Sequence, residues 1–529
     1  MTIRRPNRFL TATLTGALAI GALAGCGTAA ATSTDAASPV AISDVATSVD
    51  DALADNEDHT GLAALADETW DTASETTVAL DGDGATVSGD GATADGSTVT
   101  VSAPGTYRIS GTLDDGQVIV SSEADGLVRL VLDGADITSS TGSAIAVTQA
   151  DDVSVVLADG SSNTLTDAST YEDTSEDAPN AALFSSDSMV ISGTGALNVT
   201  GRSNDGIASK DGLVITSGNI TVSAVDDGVR GKDFLVVTGG AVDVDATGDG
   251  LKADNEDGTN DDGETVGYAA LLGGEITVVS GDDGVHAESD LLVDGATVTV
   301  SESVEGLEAA HILVTGGTVD VTSSDDGFNA AGGTSTAETA ETATDAATEG
   351  EPAASGTMPE GGPPQGGGMP GEAAGDFSLV ITGGTVTVDA GGDGLDSNGT
   401  LTVSGGDVTV FGPTDGGNGT LDSAGAITVD GGTLLAVGSS GMLQTPGDGS
   451  EGWVAATFDT LSAGTDVVVV DASGSTVAEV TLTKDAQALV LASSAVTSGE
   501  EYTIQADGSE TATATAGDTP ENAGMGARP

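Results

Sequence analysis

The chain has 529 residues, with 84 Asp and Glu against 12 Lys and Arg, a formal net charge of −72, 79 Gly, one Cys and 2% aromatic residues. Such a negative polymer repels nucleic-acid phosphates and anionic lipid surfaces, and a single cysteine rules out disulfide scaffolds, CxxC redox centres and cysteine-based zinc sites. With Phe, Trp and Tyr nearly absent, any core must be built of Val, Ile, Leu and Ala, which suits thin stacked β-layers better than a large globular interior.

Residues 1–25 read as a lipoprotein signal peptide. Arg4, Arg5 and Arg8 make a basic start, Phe9 to Leu23 is an apolar stretch, and Leu23-Ala24-Gly25-Cys26 has the form of a bacterial lipobox, with Cys26 as the lipidated first mature residue. The expected location is the extracellular face of the cell envelope, with the membrane met only through that N-terminal lipid anchor. Residues 26–73, rich in Ala, Ser, Thr and Asp, read as a flexible spacer.

A repeat dominates residues 74–449. The acid of an Asp-Gly or Glu-Gly pair steps from Asp205 to Asp227 to Asp249, from Asp283 to Glu305 to Asp326, and from Asp393 to Asp415, at intervals of 22 residues with one of 21. The steps are interrupted by an acidic loop at 253–265 and by a Gly/Pro/Ala-rich insertion at 331–375, expected to be disordered. Each unit reads as an Asp-Gly corner, a short segment, a strand such as Leu235-Val236-Val237, a Gly-Gly turn, and an alternating strand such as Ala241-Val242-Asp243-Val244. Strands this short cannot bury their faces alone and must stack on the next repeat. The pattern predicts an all-β fold, a right-handed parallel β-helix of about 22 residues per coil, with right-handedness expected from crossover chirality. Residues 450–510 have ordinary hairpin spacing and read as a small C-terminal antiparallel β cap, and 511–529 as a disordered tail.

The units Asn204-Asp205-Gly206-Ile207-Ala208-Ser209-Lys210-Asp211, Asp227-Gly228-Val229-Arg230-Gly231-Lys232-Asp233, Glu305-Gly306-Leu307-Glu308-Ala309 and Asp326-Gly327-Phe328-Asn329-Ala330 resemble the signature units of the bacterial carbohydrate-binding β-helix family. The resemblance covers roughly residues 75–510. It implies a right-handed parallel β-helix related in structure to polysaccharide lyases, bound calcium, and recognition of cellulose or acidic sugars.

From the residues themselves, the Asp-Gly corners have a plain turn reading, Gly supplying an unusual φ and Asp supporting the turn. Stacked in a column about 4.8 Å apart, the same acids repel one another unless a divalent cation intervenes, and calcium takes oxygen ligands in flexible geometries. The candidate metal ligands are Asp227, Asp249, Asp254, Asp257, Asp283, Glu305 and Asp326. His59, His286 and His311 fall at different repeat positions, which argues against a histidine-based transition-metal site. Lys210 and Lys232 are 22 residues apart, as are Arg230 and Lys252, so each pair occupies one repeat position. These four, with Tyr268 beside the acidic loop, are the candidate carbohydrate contacts, whereas Phe328 takes an inward core position. The expected activity is binding of an acidic polysaccharide of the polygalacturonate kind, or cellulose, with calcium, by a monomer. Alternatives are a calcium-dependent pectate-type lyase, with Lys232, Lys252 or Arg230 as base, and a structural surface protein or adhesin.

Overall fold

Pairing between strands follows the repeat in a computed structural model of the protein, which describes residues 45–66, 69–175, 178–331, 374–447 and 451–520. Cys26 with the signal peptide, residues 26–44 of the expected spacer and 332–373 of the insertion lie outside the described residues. The described chain is almost entirely β-structure, in one sheet of 23 strands, a second of 13 and a third of four, the two large sheets dominated by parallel pairs. None of its helices is long and apolar enough to cross a membrane.

In the 13-stranded sheet, Val229 of Val229–Gly231 stands beside Leu251 of Leu251–Ala253, and the row continues through Val285, Leu307, Phe328, Leu395 and Leu421. In the 23-stranded sheet a matching row runs through Ile220, Val242, Ile276, Val298, Val319, Val386, Val408 and Leu434. Both rows are buried in one continuous core, Phe328 included. Each aliphatic side chain so buried contributes roughly 1.5–3 kcal/mol. Small side chains repeated rung by rung therefore do here what aromatic residues do elsewhere.

The glycines of the Asp-Gly corners serve a different purpose from the one expected. Positive φ occurs at the Gly-Gly turns, as in Gly240 (91°), Gly274 (92°) and Gly317 (82°), and not at Gly228, Gly250, Gly284, Gly306 or Gly327. At the corners the constraint is space. A Cβ on Gly306 would lie 2.2 Å from Val321 Cγ1 and 2.3 Å from the carbonyl oxygen of Gly327. The spacing after Asp393 also differs from the sequence reading. Leu395 pairs with Leu421 and the Gly394 N–H donates to Gly419 O, so Gly419 takes the corner and Asp415 sits in an exposed turn created by four extra residues.

Part of the expected spacer is packed. Short helices at Val49–Ala52 and Thr60–Ala63 lay Ala52 and Leu62 against Val190, Val214, Val236, Ala270 and Leu292 on the outer side of the 23-stranded sheet. The cause lies in strands such as Gly212–Ile215 and Phe234–Val237, which are buried at every position. Strands apolar on both faces need cover on both. At the other end, Ile427–Gly438 pairs antiparallel with Ala486–Ser493, which pairs in turn with Trp453–Leu461, so the parallel stack ends on a covered edge. The four-stranded antiparallel sheet includes Ser509–Thr515, so residues expected to open the tail are instead paired with Glu501–Ala506.

Gly306→Ala is expected to destabilise the fold by about 1–3 kcal/mol through overpacking against backbone. Gly61→Ala, where an added Cβ meets nothing within 4 Å, is expected to change the thermal midpoint little. Equal midpoints for the two variants would show that the corners can relax.

Candidate metal and carbohydrate site

Each three-residue strand of the 13-stranded sheet from Val229–Gly231 to Leu421–Ser423 packs its first side chain into the core and turns its middle one away from it. Register places the middle residues in one row: Ala208, Arg230, Lys252, His286, Glu308, Asn329, Asp396 and Asp422. Beside it runs the column of corner acids, Asp205, Asp227, Asp249, Asp283, Glu305, Asp326 and Asp393, each three residues before the row member of its own repeat. Lys210 and Lys232, half-buried, follow the same strands at the next corner. The sequence reading found Arg230 and Lys252 in this row. It missed His286, Glu308, Asn329, Asp396 and Asp422; the same spacing of three from each corner acid leads to the first four, whereas Asp422 follows Gly419 and is placed only by its pairing with Asp396.

The two oxygens of a corner carboxylate have different duties. Oδ1 of Asp227 accepts the Asp249 N–H at 3.0 Å, Oδ1 of Asp249 accepts the Asp283 N–H at 2.9 Å, and Oδ1 of Asp326 accepts the Asp393 N–H at 2.6 Å. These bonds tie the repeats of Asp227, Asp249 and Asp326 to the next, whereas Oδ1 of Asp205 and of Asp283 is buried with no hydrogen-bond partner among the described residues. Oδ2 faces the row. Lys252 Nζ lies 2.9 Å from Asp249 Oδ2 and 3.4 Å from Asp227 Oδ2. Arg230 grips Asp254 with contacts of 2.9 and 2.6 Å and reaches Asp205 at 3.8 Å. His286 Nδ1 lies 3.3 Å from Asp283 Oδ2 and 3.0 Å from Glu308 Oε2. Burial opposes the charge on Lys252, but Asp249 and Asp227 more than offset it and hold the amine above the ordinary lysine range. Burial likewise opposes protonation of His286, and its bonds to Asp283 and Glu308 raise it.

Beyond His286 the row has no cation. Asn329 Nδ2 donates to Glu305 at 2.8 Å, and Gln444 Nε2 donates to Asp422. Among the described residues no ion pair reaches Glu305, Asp326, Asp393, Asp396 or Asp422. Burial, with neighbouring carboxylates adding to it, pushes Glu305 up to about 8, Asp396 to about 8, Asp393 to about 7 and Asp326 to about 6. Asp393, Asp396 and Asp422 each offer an oxygen within 4.8 Å of the others, as do Asp249, Asp282 and Asp283, and a third group sets oxygens of Asp283 and Glu308 with a ring nitrogen of His286 within the same distance. The oxygen donors of the first group suit a hard divalent cation. Asn329 Oδ1, an amide oxygen in the row just before Asp396, is buried with no hydrogen-bond partner among the described residues.

Several sequence candidates take other roles. Tyr268 is fully buried, its hydroxyl donating to the Glu57 carbonyl at 2.7 Å and its ring stacked on Phe234 with centroids 5.5 Å apart, so it anchors the N-terminal segment and presents no surface to a sugar. Asp254 is committed to Arg230, and Asp257 is exposed in the acidic loop outside every carboxylate group close enough for a shared ion. Asp227, Glu305 and Asp326 stand in the column but outside those groups, whereas Asp249 and Asp283 belong to them. Lys252 and Arg230, read as outward cations, have side chains only 18% exposed. His286, set aside on repeat position, stands in the row beside two acids because its neighbours come from adjacent repeats.

A family described as carbohydrate-binding domain-containing protein matches residues 95–349, a span that ends before Asp393. A protein of that description from Acetivibrio thermocellus is 40% identical over 205 residues, covering 38% of this chain and 70% of the relative. A solved structure titled as a polysaccharide lyase-like protein from C. thermocellum, a gadolinium derivative, is 35% identical with a TM-score of 0.41, covering 43% of this chain and 91% of that one.

The cation-free carboxyls make stability depend on pH in an unusual sense. Unfolded, they titrate near about 4; folded, they keep protons to about 6–8. Between these limits the folded state binds more protons than the unfolded, so the stability present at acid pH is lost as pH rises through the window. In chelator, the thermal midpoint is expected to fall from pH 5 to pH 8, and Asp396→Asn to flatten the fall. A midpoint that climbs over this range in both proteins would contradict the assignment.

Proposed function

The chain belongs to the family of carbohydrate-binding domain-containing proteins, and from that premise we propose that it holds an acidic polysaccharide of the polygalacturonate kind along the polar row, with calcium as the bridging ion. The observation that supports this reading is the change of charge along the row: Arg230, Lys252 and His286 neutralise the first corner acids, and Glu305, Asp326, Asp393, Asp396 and Asp422 have no such partner among the described residues. A polyuronate could approach that end only if a cation stood between its carboxylates and those of the protein. Calcium takes about six to eight oxygen ligands, of which Asp393, Asp396 and Asp422 would supply three, Asn329 a neighbouring amide oxygen, and the sugar acid others. Lys210 and Lys232 flank the opposite end, where a uronate could be met directly. A neutral glucan such as cellulose has no carboxylate for calcium to bridge, which is why the acidic ligand is preferred.

The proposed architecture behind this site is a right-handed parallel β-helix of about 22 residues per coil, monomeric, and tethered by a lipid on Cys26 to the extracellular face of the envelope. The activity proposed is binding without cleavage. A uronate lyase needs a base of lowered pKa to take the proton beside the carboxylate. Lys252 and Arg230, within the row, are shifted the other way, whereas burial and the Arg230 charge lower Lys210 at its edge, so an assay for product decides the point.

A glycan array with calcium and with chelator, followed by an absorbance assay for unsaturated uronate products, tests the reading. Calcium-dependent capture of oligogalacturonates without product is expected; product would replace binding by lyase activity, and no capture would remove the proposal. Calcium at a hundredfold excess over its dissociation constant should stabilise the fold by about 2.7 kcal/mol, an effect that Asp396→Asn with Asp422→Asn should abolish. Cys26→Ser is expected to move the protein from the membrane fraction to the soluble one, and unchanged retention would refute the anchor.

A further inference from the structure

Away from the polar row, a cavity of about 320 Å³ lies between Trp70 and the outer face of the 23-stranded sheet. Arg108 of Gly105–Leu113, Val131 of Leu127–Thr138 and Val156 of Asp152–Leu157 stand in register beneath it. Val131 and Val156 form an apolar floor, and Asp133 and Asp159 an exposed rim. Trp70 is half-buried, and its orientation is set from two sides: Nε1 donates to Glu75 Oε1 at 2.7 Å, and the Arg129 guanidinium lies 4.9 Å from the ring centroid. Arg108 is held by Glu75 at 2.8 and 2.9 Å and by Asp133 at 3.1 Å. Asp159 accepts the Thr194 hydroxyl at 2.9 Å.

We infer that this cavity is a second carbohydrate subsite, one that takes a neutral pyranose ring. The inference rests on the reading that the chain binds carbohydrate, and it concerns a different surface and a different sugar chemistry. A pyranose has an apolar face of C–H groups and an equator of hydroxyls. The indole offers the first a flat surface, while the rim carboxylates accept from the hydroxyls. The volume lies at the lower end of that of small-ligand sites, about 300 Å³, and the exposed lining is more polar than apolar, which suits the hydroxyls of a sugar. Charge decides against a uronate. Two guanidinium groups, Arg108 and Arg129, face three carboxylates, Glu75, Asp133 and Asp159, and leave no surplus positive charge. No cation is needed either, so this subsite works in chelator. Trp70 and Glu75 precede the family-matched residues 95–349, whereas Arg108, Val131, Asp133, Val156 and Asp159 lie within them, so this chain's N-terminal segment adds the aromatic ring to a surface the matched repeats supply.

The chain has two tryptophans, Trp70 and Trp453, so Trp453→Phe leaves Trp70 as the sole indole reporter. In that protein, millimolar β-1,4-linked pentasaccharides of glucose, mannose or xylose, tried in turn, are expected to shift the Trp70 emission, equally with calcium and with chelator. In otherwise native protein, Trp70→Ala should weaken binding of the active pentasaccharide about tenfold and Asp159→Asn about threefold, while oligogalacturonate binding in calcium stays within about twofold of the parent. Should Trp70→Ala fail to fold, Trp70→Phe and Asp159→Asn carry the comparison. The inference is overturned if no neutral pentasaccharide moves the emission, or if the variants bind it as the parent does. Loss of oligogalacturonate binding alone would instead strike the polar-row reading and leave this subsite standing.

Discussion

Parallel, in-register pairing at a fixed repeat is the constraint on which the rest of this molecule depends. It sets each residue beside its counterpart in the next repeat, about 4.8 Å away, so any choice made once is made along a whole row. For Val, Leu and Ile the consequence is a continuous core that needs few aromatic rings. For the corner glycines it is backbone approach too close for a Cβ. For the corner acids it is repulsion between like charges.

The chain answers that repulsion in two ways. One oxygen of Asp227, of Asp249 and of Asp326 accepts a backbone N–H from the next repeat, which turns each of these acids into a tie between strands. The other oxygen meets Lys252 or His286 in the early repeats. In the later repeats the row offers Asn329, Asp396 and Asp422 instead, and the carboxyls rise toward neutral pH as burial and their neighbours oppose ionisation. Carboxyls without an ion-pair partner among the described residues are thus gathered at one end of the row, although burial and like charges also raise Asp205, Asp227 and Asp283 at the other. That end is where an external cation gains most by binding, and the proposed function grows from this asymmetry.

The N-terminal segment has a comparable logic. Strands apolar on both faces would leave Val190, Val214, Val236 and Leu292 in water, and the segment from Val45 onward covers them. Tyr268 and His59 join its backbone and side chains to the sheet, and Trp70 closes the path above Val131 and Val156. A covering element so placed carries an aromatic ring to the patch around Val131 and Val156, where the lining from the repeats is aliphatic and charged.

Much of this was legible in the chain itself. The interval of the Asp-Gly pairs, the alternation of Val and Thr, and the inward position of Phe328 follow from arithmetic on residues one repeat apart, and pairing kept that arithmetic because neighbours in the stack are neighbours in the count. Arg230 beside Lys252 was readable for the same reason. What tertiary structure decided lay where the count breaks or where distant segments meet. Four extra residues moved the last corner from Asp415 to Gly419. The insertion between Asp326 and Asp393 separates by 67 residues two acids that are bonded neighbours. Tyr268 lies 211 residues from the carbonyl it binds, and only that contact decides that its ring faces protein and not solvent. A repeat dictates which residues share a row; burial, partners and residual charge depend on what else the fold brings to it.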